Sequence, residues 1–174
     1  IEGWRREWNQ GLFPFYFVQI SPYKYDGSEK TSSAFLREAQ LNTMLNTSNT
    51  GMAVSLDVGD ENSIHPSRKF ILGKRLAYWA LNKDYGLKSV QFSGPIYKSL
   101  EIEQDRVLIK FDFAENGLYS PDDLINNFEL ASEDKVFYPA SARIMWDHLE
   151  VKSDQVKNPI HVRYGWKNYL IGNL

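Results

Sequence analysis

The chain has 174 residues, 43% of them hydrophobic, with five tryptophans, no cysteine and a net charge of −2. That length admits one ordinary domain or two small ones, and the apolar share is ample for a core. The composition excludes several classes. There is no basic surplus to displace counterions from a nucleic-acid backbone. There is no thiol for a disulfide, a nucleophile or a Cys-ligated zinc. No apolar run approaches the roughly 20 residues of a membrane-spanning helix.

The chain opens with IEGWRREWNQG, which reads as the tail of a helix ended by Gly11. It has no initiator Met, and it stops at YLIGNL without a terminal signal, so it is expected to be a portion of something longer. Residues 12–20, LFPFYFVQI, are aromatic and β-branched and predict a strand closed by Ser21-Pro22. The polar stretch PYKYDGSEKTSS predicts a surface loop. AFLREAQLNTMLN is helical, with Phe35, Ala39 and Met44, or Leu36, Leu41 and Leu45, as its apolar face. Ser32 or Ser33 is its expected cap. Residues 52–56, MAVSL, are dense enough for a buried parallel strand. FILGKRLAYWAL then repeats Phe70, Gly73, Ala77, Ala80 and Leu81 at helical spacing. This β-α-β-loop-α order is the signature of a parallel sheet with covering helices.

After Gly86 the pattern changes. SVQFSGPIYKSLEIE, RVLIKFDF, ARIMWDHLEV and IHVRYGW show short alternation broken by Gly, Pro, Asn and Asp. RVLIKFDF alternates cleanly, with Val107, Ile109, Phe111 and Phe113 on one side. Residues 87–174 therefore read as a β-rich antiparallel unit, a small sandwich, after an α/β unit at residues 1–86.

His65, in GDENSIHPSRK, falls between the second strand and the helix that follows it. In open α/β sheets ligands bind at that carboxyl edge. Pro66 restricts His65 to extended backbone and suits the first position of the next helix. The imidazole is a candidate general base, and a loop histidine bonded to backbone is the plainer reading. Asp57, Asp60 and Glu61 crowd the same loop and are candidates to orient it, although clustered loop carboxylates are more often solvated. The chain has no Gly-x-Ser-x-Gly elbow, and Ser28, Ser55 and Ser93 have no distinguishing context, so the nucleophile is missing. Arg37 is a candidate contact for an acidic ligand, with Gln40 beside it, while Arg37, Glu38 and Gln40 also fit a solvated helix face. Tyr23 and Tyr25 are candidates to line a sugar site. His148 and His161 fall in predicted strands and read as structural. No histidine pair has ligand spacing, so no metal site is expected.

Taken together, WRREWNQGLFPFYFVQISPY, FLREAQ and SLDVGDENSIHPSRKFILGKRLAYWALNKDYG resemble the sialate O-acetylesterase family of SGNH-type serine esterases. SGPIYKSLEIE, VLIKFDFAENGL, FELASEDKVFYPASARI and NPIHVRYGWKN are similar, in collinear order, to the β-rich region of these enzymes. The resemblance implies that residues 1–86 are the C-terminal part of a flavodoxin-like three-layer α/β/α domain, and residues 87–174 a β-rich accessory unit. It implies hydrolysis of acetyl esters on sialic acid or related sugars by a serine and a histidine, with no metal or organic cofactor. His65, in the IHP motif, matches the family's catalytic histidine. The nucleophilic serine lies in a Gly-Gln-Ser-Asn-type block that nothing here matches, so it is expected on an N-terminal partner segment preceding Ile1. Many SGNH enzymes carry Asp two or three residues before the histidine. Ser63 and Asn62 stand there in this chain, so the expected orienting group is Asp60 or Asp57, or else a backbone carbonyl. An open sheet edge implies packing against the missing segment or against another copy in a homo-oligomer. The family tendency is extracellular or periplasmic. The alternative is a non-catalytic carbohydrate-binding or structural fragment of such an esterase.

Overall fold

The structure is a computed structural model that describes residues 1–122 and 124–174. The chain divides into two units, one of Ile1–Ser93 with Lys167–Tyr169, the other of Gly94–Trp166 with Leu170–Leu174. In the first, α1 (Glu2–Trp8), β1 (Phe15–Val18), α2 (Ser32–Asn46), β2 (Thr50–Ala53) and α3 (Lys69–Lys83) follow in the expected β-α-β-loop-α order. β1 and β2 pair in parallel, Phe15 opposite Thr50 and Val18 opposite Ala53. α2 is the crossover that a parallel pair requires. Both strands end at one edge, from which the connections at residues 19–31 and 54–68 leave.

The short helix α1 ends at Asn9 rather than Gly11, with Asn9 in the left-handed region at φ 48°. Asparagine is the residue after glycine that best tolerates this position. Arg5, buried in α1, donates to the carbonyls of Phe13 (2.8 Å) and Asn49 (3.0 Å), which ties together the approaches to β1 and β2.

Neither apolar face expected for α2 is the one it buries. The helix buries Ser33, Ala34 and Arg37 and half-buries Leu41 and Met44, while Phe35, Leu36 and Leu45 are exposed. Its apolar residues lie on more than one face, so periodicity alone does not choose between them. The inward face must also satisfy backbone groups at a strand end, which takes polar side chains. Ser32 and Ser33 lie inside the first turn, not at the cap. Thr31 occupies the cap position without a side-chain bond, and the Oδ1 of Asn168 accepts the Ser33 N–H at 2.9 Å instead.

In α3 the buried positions are Leu72, Trp79 and Asn82, whereas Phe70, Gly73 and Ala77 from the expected stripe are exposed. The Trp79 indole donates to the Met52 carbonyl at 3.1 Å. Its ring occupies the space over Gly51, where a Cβ would stand 2.4 Å from a ring carbon. Gly51→Ala is therefore expected to cost about 1–3 kcal/mol through overpacking. A Cβ at Gly73 meets nothing within 4 Å, so Gly73→Ala is expected to raise stability by up to about 1 kcal/mol. Thermal melts of the two variants should move in opposite directions.

The second unit is built from β3 (Ile96–Glu103), β4 (Arg106–Asp112), β5 (Ile125–Ala131), β6 (Tyr138–Ile144), β7 (His148–Lys152) and β8 (His161–Tyr164). They form one antiparallel sheet in the order β3-β4-β7-β6-β5-β8. Val107 and Ile109 of β4 share a buried cluster with Ile125, Phe128 and Leu130 of β5, although β7 and β6 lie between. The sheet thus curls over its own apolar face. One curled sheet stands where two packed sheets were expected, because period-2 alternation reports a single buried face and looks the same in both arrangements. In RVLIKFDF the alternation holds through Val107 and Ile109, while Phe113 lies past the strand end in the left-handed region. His148 and His161 open β7 and β8, as their neighbours predict. Among the described residues no helix is long and apolar enough to cross a membrane.

Candidate functional site

The connections at 19–31 and 54–68 run against each other at the carboxyl edge of the parallel pair, the edge where open α/β sheets bind ligands. Gly59 allows the approach, since a Cβ there would stand 2.6 Å from the Pro22 carbonyl oxygen. Across the contact, Asp60 N–H donates to Pro22 O at 3.2 Å and Lys24 N–H to Glu61 O at 3.4 Å. Side chains extend it: Lys24 Nζ donates to Asn62 Oδ1 at 2.9 Å, and Ser28 Oγ to Glu61 Oε1 at 2.5 Å.

His65 is exposed just beyond this zipped segment. Its N–H donates to Ser63 Oγ at 3.2 Å, and the Ser63 hydroxyl donates to the His65 carbonyl at 3.2 Å. Ser63 thereby fixes the backbone of His65 rather than its ring, which has no hydrogen-bond partner among the described residues. Pro66 is buried, yet it does not open the helix. α3 begins at Lys69 with Arg68 at the cap position, after a tight turn in which Lys69 N–H donates to Ser67 O at 2.9 Å. A proline that demands an extended residue before it fits a turn upstream of a helix as well as its first position.

Asp60 and Asp57 are both occupied. Asp60 Oδ1 accepts the N–H groups of Asn62 (2.8 Å) and Ser63 (3.2 Å), an Asx turn that shapes the approach to His65. Asp57 forms a two-pronged pair with Arg75 of α3 at 2.6 and 2.9 Å. Arg75 also donates to the Val54 carbonyl at 2.7 Å, and Arg68 donates to the Asp57 carbonyl. Among the described residues neither carboxylate is bonded to the His65 ring. Burial pushes the Asp57 carboxyl up, but the bonds and charge of Arg75, helped by its own backbone, outweigh this and hold it below the usual carboxylate range.

A depressed folded-state value favours the charged form, so Asp57 contributes stability above its unfolded pKa of about 4. That contribution is lost as pH falls through the lower folded value. Melting temperatures of the protein and of Asp57→Asn are expected to differ at pH 6 and to converge toward pH 2.

Arg37 does not lie on a solvated face. It is buried, with Nη1 donating to Ser33 Oγ at 2.9 Å and Nη2 to the Lys167 carbonyl at 2.5 Å. Glu38 is exposed. Gln40 Oε1 accepts the Ile20 N–H at 2.8 Å, which continues the hydrogen bonding of β1 past its end. Tyr23 and Tyr25 meet edge to face at 5.0 Å, and the Tyr25 hydroxyl donates to the Ser21 carbonyl at 2.9 Å. Two residues that sequence reasoning missed organise this region. Arg75 is one of several cations after the acidic loop, with Arg68, Lys69 and Lys74 nearer to Asp57 in sequence, so the sequence does not single it out. Asn168 carries no local signal at all. Among the described residues, no group of three or more His, Cys, Asp or Glu side chains is placed to hold a metal ion.

No protein-family model matches the chain. It is 34% identical to the sialate O-acetylesterase of Rattus norvegicus, over 59% of this chain and 22% of that protein. With the sialate O-acetylesterase of Homo sapiens the identity is 27%, over 97% of this chain and 36% of the relative. A crystal structure of a carbohydrate acetylesterase from Xanthomonas citri matches 96% of this chain with a TM-score of 0.87 and 34% identity, over 39% of that chain. The chain thus spans about a fifth to about two fifths of the length of these relatives. Fold and sequence together group it with the carbohydrate esterases. Over the part it spans, it is similar to the sialate O-acetylesterases and to this carbohydrate acetylesterase.

Proposed function

We propose that this chain is the base-bearing part of a carbohydrate esterase that removes O-acetyl groups from sialic acid or a related acetylated sugar. The observation that carries the reading is an exposed His65 on the loop at the shared carboxyl edge of β1 and β2, in a chain akin to acetylesterases. In this reading a serine on an N-terminal segment outside these 174 residues attacks the acetyl carbonyl. His65 takes the serine proton and returns it to the departing sugar oxygen. Water then attacks the acetyl-serine with the same assistance, which releases acetate and restores the serine. Asp57 and Asp60 serve by holding the loop through Arg75 and the Asx turn. The Tyr23–Tyr25 pair, beside the zipped loops, supplies aromatic faces suited to a sugar ring. The first unit, Ile1–Ser93 with Lys167–Tyr169 where residues 1–86 were expected, then forms the C-terminal part of a three-layer SGNH domain and the second unit its accessory part, working outside the cytoplasm on extracellular or periplasmic glycans.

The test is acetate release from O-acetylated sialic acid by the intact protein. Release that disappears in His65→Ala supports the assignment. Release that survives the substitution gives the proton transfer to another group, and no release from any acetylated sugar removes the esterase reading.

A further inference from the structure

We propose that Asn168 is a positioning residue for the His65 loop, an inference that rests on the esterase reading for its catalytic consequence. Residues 167–169 belong to the first unit, and Asn168 is completely buried there. Its amide is fully engaged. Oδ1 accepts the Ser33 N–H (2.9 Å), the Ser33 hydroxyl (3.0 Å) and the Ser32 hydroxyl (3.2 Å), which supplies the cap that Thr31 does not give α2. Nδ2 donates to Asp26 Oδ1 at 2.5 Å and to the Gly27 carbonyl at 3.1 Å.

The backbone on either side does the same work. Asn168 N–H donates to Lys30 O (2.5 Å), Tyr23 N–H to Asn168 O (3.1 Å) and Tyr169 N–H to Ser28 O (3.1 Å). Lys167 pairs with Glu29 at 2.5 Å and its carbonyl receives Arg37. Three residues thus hold the 23–30 loop at nearly every position. That loop is in turn the surface on which Gly59, Asp60, Glu61 and Asn62 rest, through Pro22, Lys24 and Ser28. The path from Asn168 to His65 is therefore two layers of hydrogen-bonded loop. An amide suits the hub because it offers an acceptor to the helix N-terminus and two donors to the loop at once. Alanine removes both, leaving buried partners short of hydrogen bonds.

The experiment compares amide hydrogen exchange in the intact protein with that in Asn168→Ala. The control is Asn82→Ala, which removes a different buried amide, one that donates to the Val90 carbonyl at 2.8 Å and touches neither loop. Exchange at residues 23–30 and 59–65 is expected to rise roughly 10- to 100-fold in Asn168→Ala and to stay at its original rate in Asn82→Ala. If Asn168→Ala does not fold, Asp26→Ala, which removes one acceptor of the same amide, is expected to loosen the same two segments more weakly. Acetate release read in parallel is expected to lose kcat with little change in KM. Unchanged exchange at 59–65, or an equal rise across the whole chain, overturns the positioning role. Loosened loops in a protein that releases no acetate leave the positioning in place and overturn the esterase reading alone.

Discussion

His65→Ala is expected to lower kcat for acetate release by roughly a thousandfold or more, with KM close to its original value. A general base acts on the transition state, so its loss belongs in kcat rather than in ground-state binding. The same substitution should leave the melt almost unmoved. The imidazole is exposed and makes no hydrogen bond among the described residues, and surface changes of that kind fall within about 0.5 kcal/mol. Loop geometry survives because Ser63 bonds the backbone of His65, which alanine retains. A loss of activity that came with a falling melting temperature would point to loop collapse and not to a missing base. The carboxylates on the loop give the contrast. Asp57→Asn loosens the tie to Arg75 and should move the acid limb of the stability profile well before it approaches the loss seen at His65.

What could be read from the residues was the alternation of elements and the edge at which they converge. The aromatic and β-branched FYFV, the apolar MA of TGMA and the two helical stretches between and after them place β1, α2, β2 and α3 within a few residues of where they lie. His65 could be placed on the loop after β2 for the same reason. The faces could not. Phe35 and Phe70 are exposed while Arg37 and Asn82 are buried, an inversion of what hydropathy predicts. Each buried polar residue answers a backbone group that only the folded chain brings near: Lys167 O for Arg37, Val90 O for Asn82. The cap of α2 shows the limit most plainly. Capping is usually local, so Ser32 and Ser33 were the natural candidates. The group that does it lies 135 residues away from Ser33, in a stretch, GWKNYLIG, whose composition marks it only as the end of a β-rich segment. The roles of Asp57 and Asp60 were ambiguous for a related reason. Their proximity to His65 in sequence is real, but the cation on α3 and the turn amides compete for them, and neither competitor is visible from the loop itself.

Arg37→Ala is expected to destabilise the protein by about 3 kcal/mol, seen as a fall of roughly 10 °C in melting temperature. Its partners include the Ser33 hydroxyl and the Lys167 carbonyl, and both lie where water does not readily replace a lost donor. Truncation also empties the space of a long buried stem, which adds a cavity cost. Burial lowers the Arg37 pKa and the nearby Tyr25 works against that fall; a guanidinium starts so high that it stays charged at neutral pH. Arg37→Lys keeps the charge but replaces a planar fork of five donors with a single ammonium, so it should recover only part of the loss. Because the guanidinium is spent on α2 and on residue 167, KM for an acetylated acidic sugar should not change at temperatures where the variant is folded. A raised KM with an unchanged melt would return Arg37 to the ligand-contact role that its position near the start of α2 first offered. A lowered melt with an unchanged KM makes it, with Asn168, part of the frame that fastens residues 167–169 beneath the loop on which the candidate site rests.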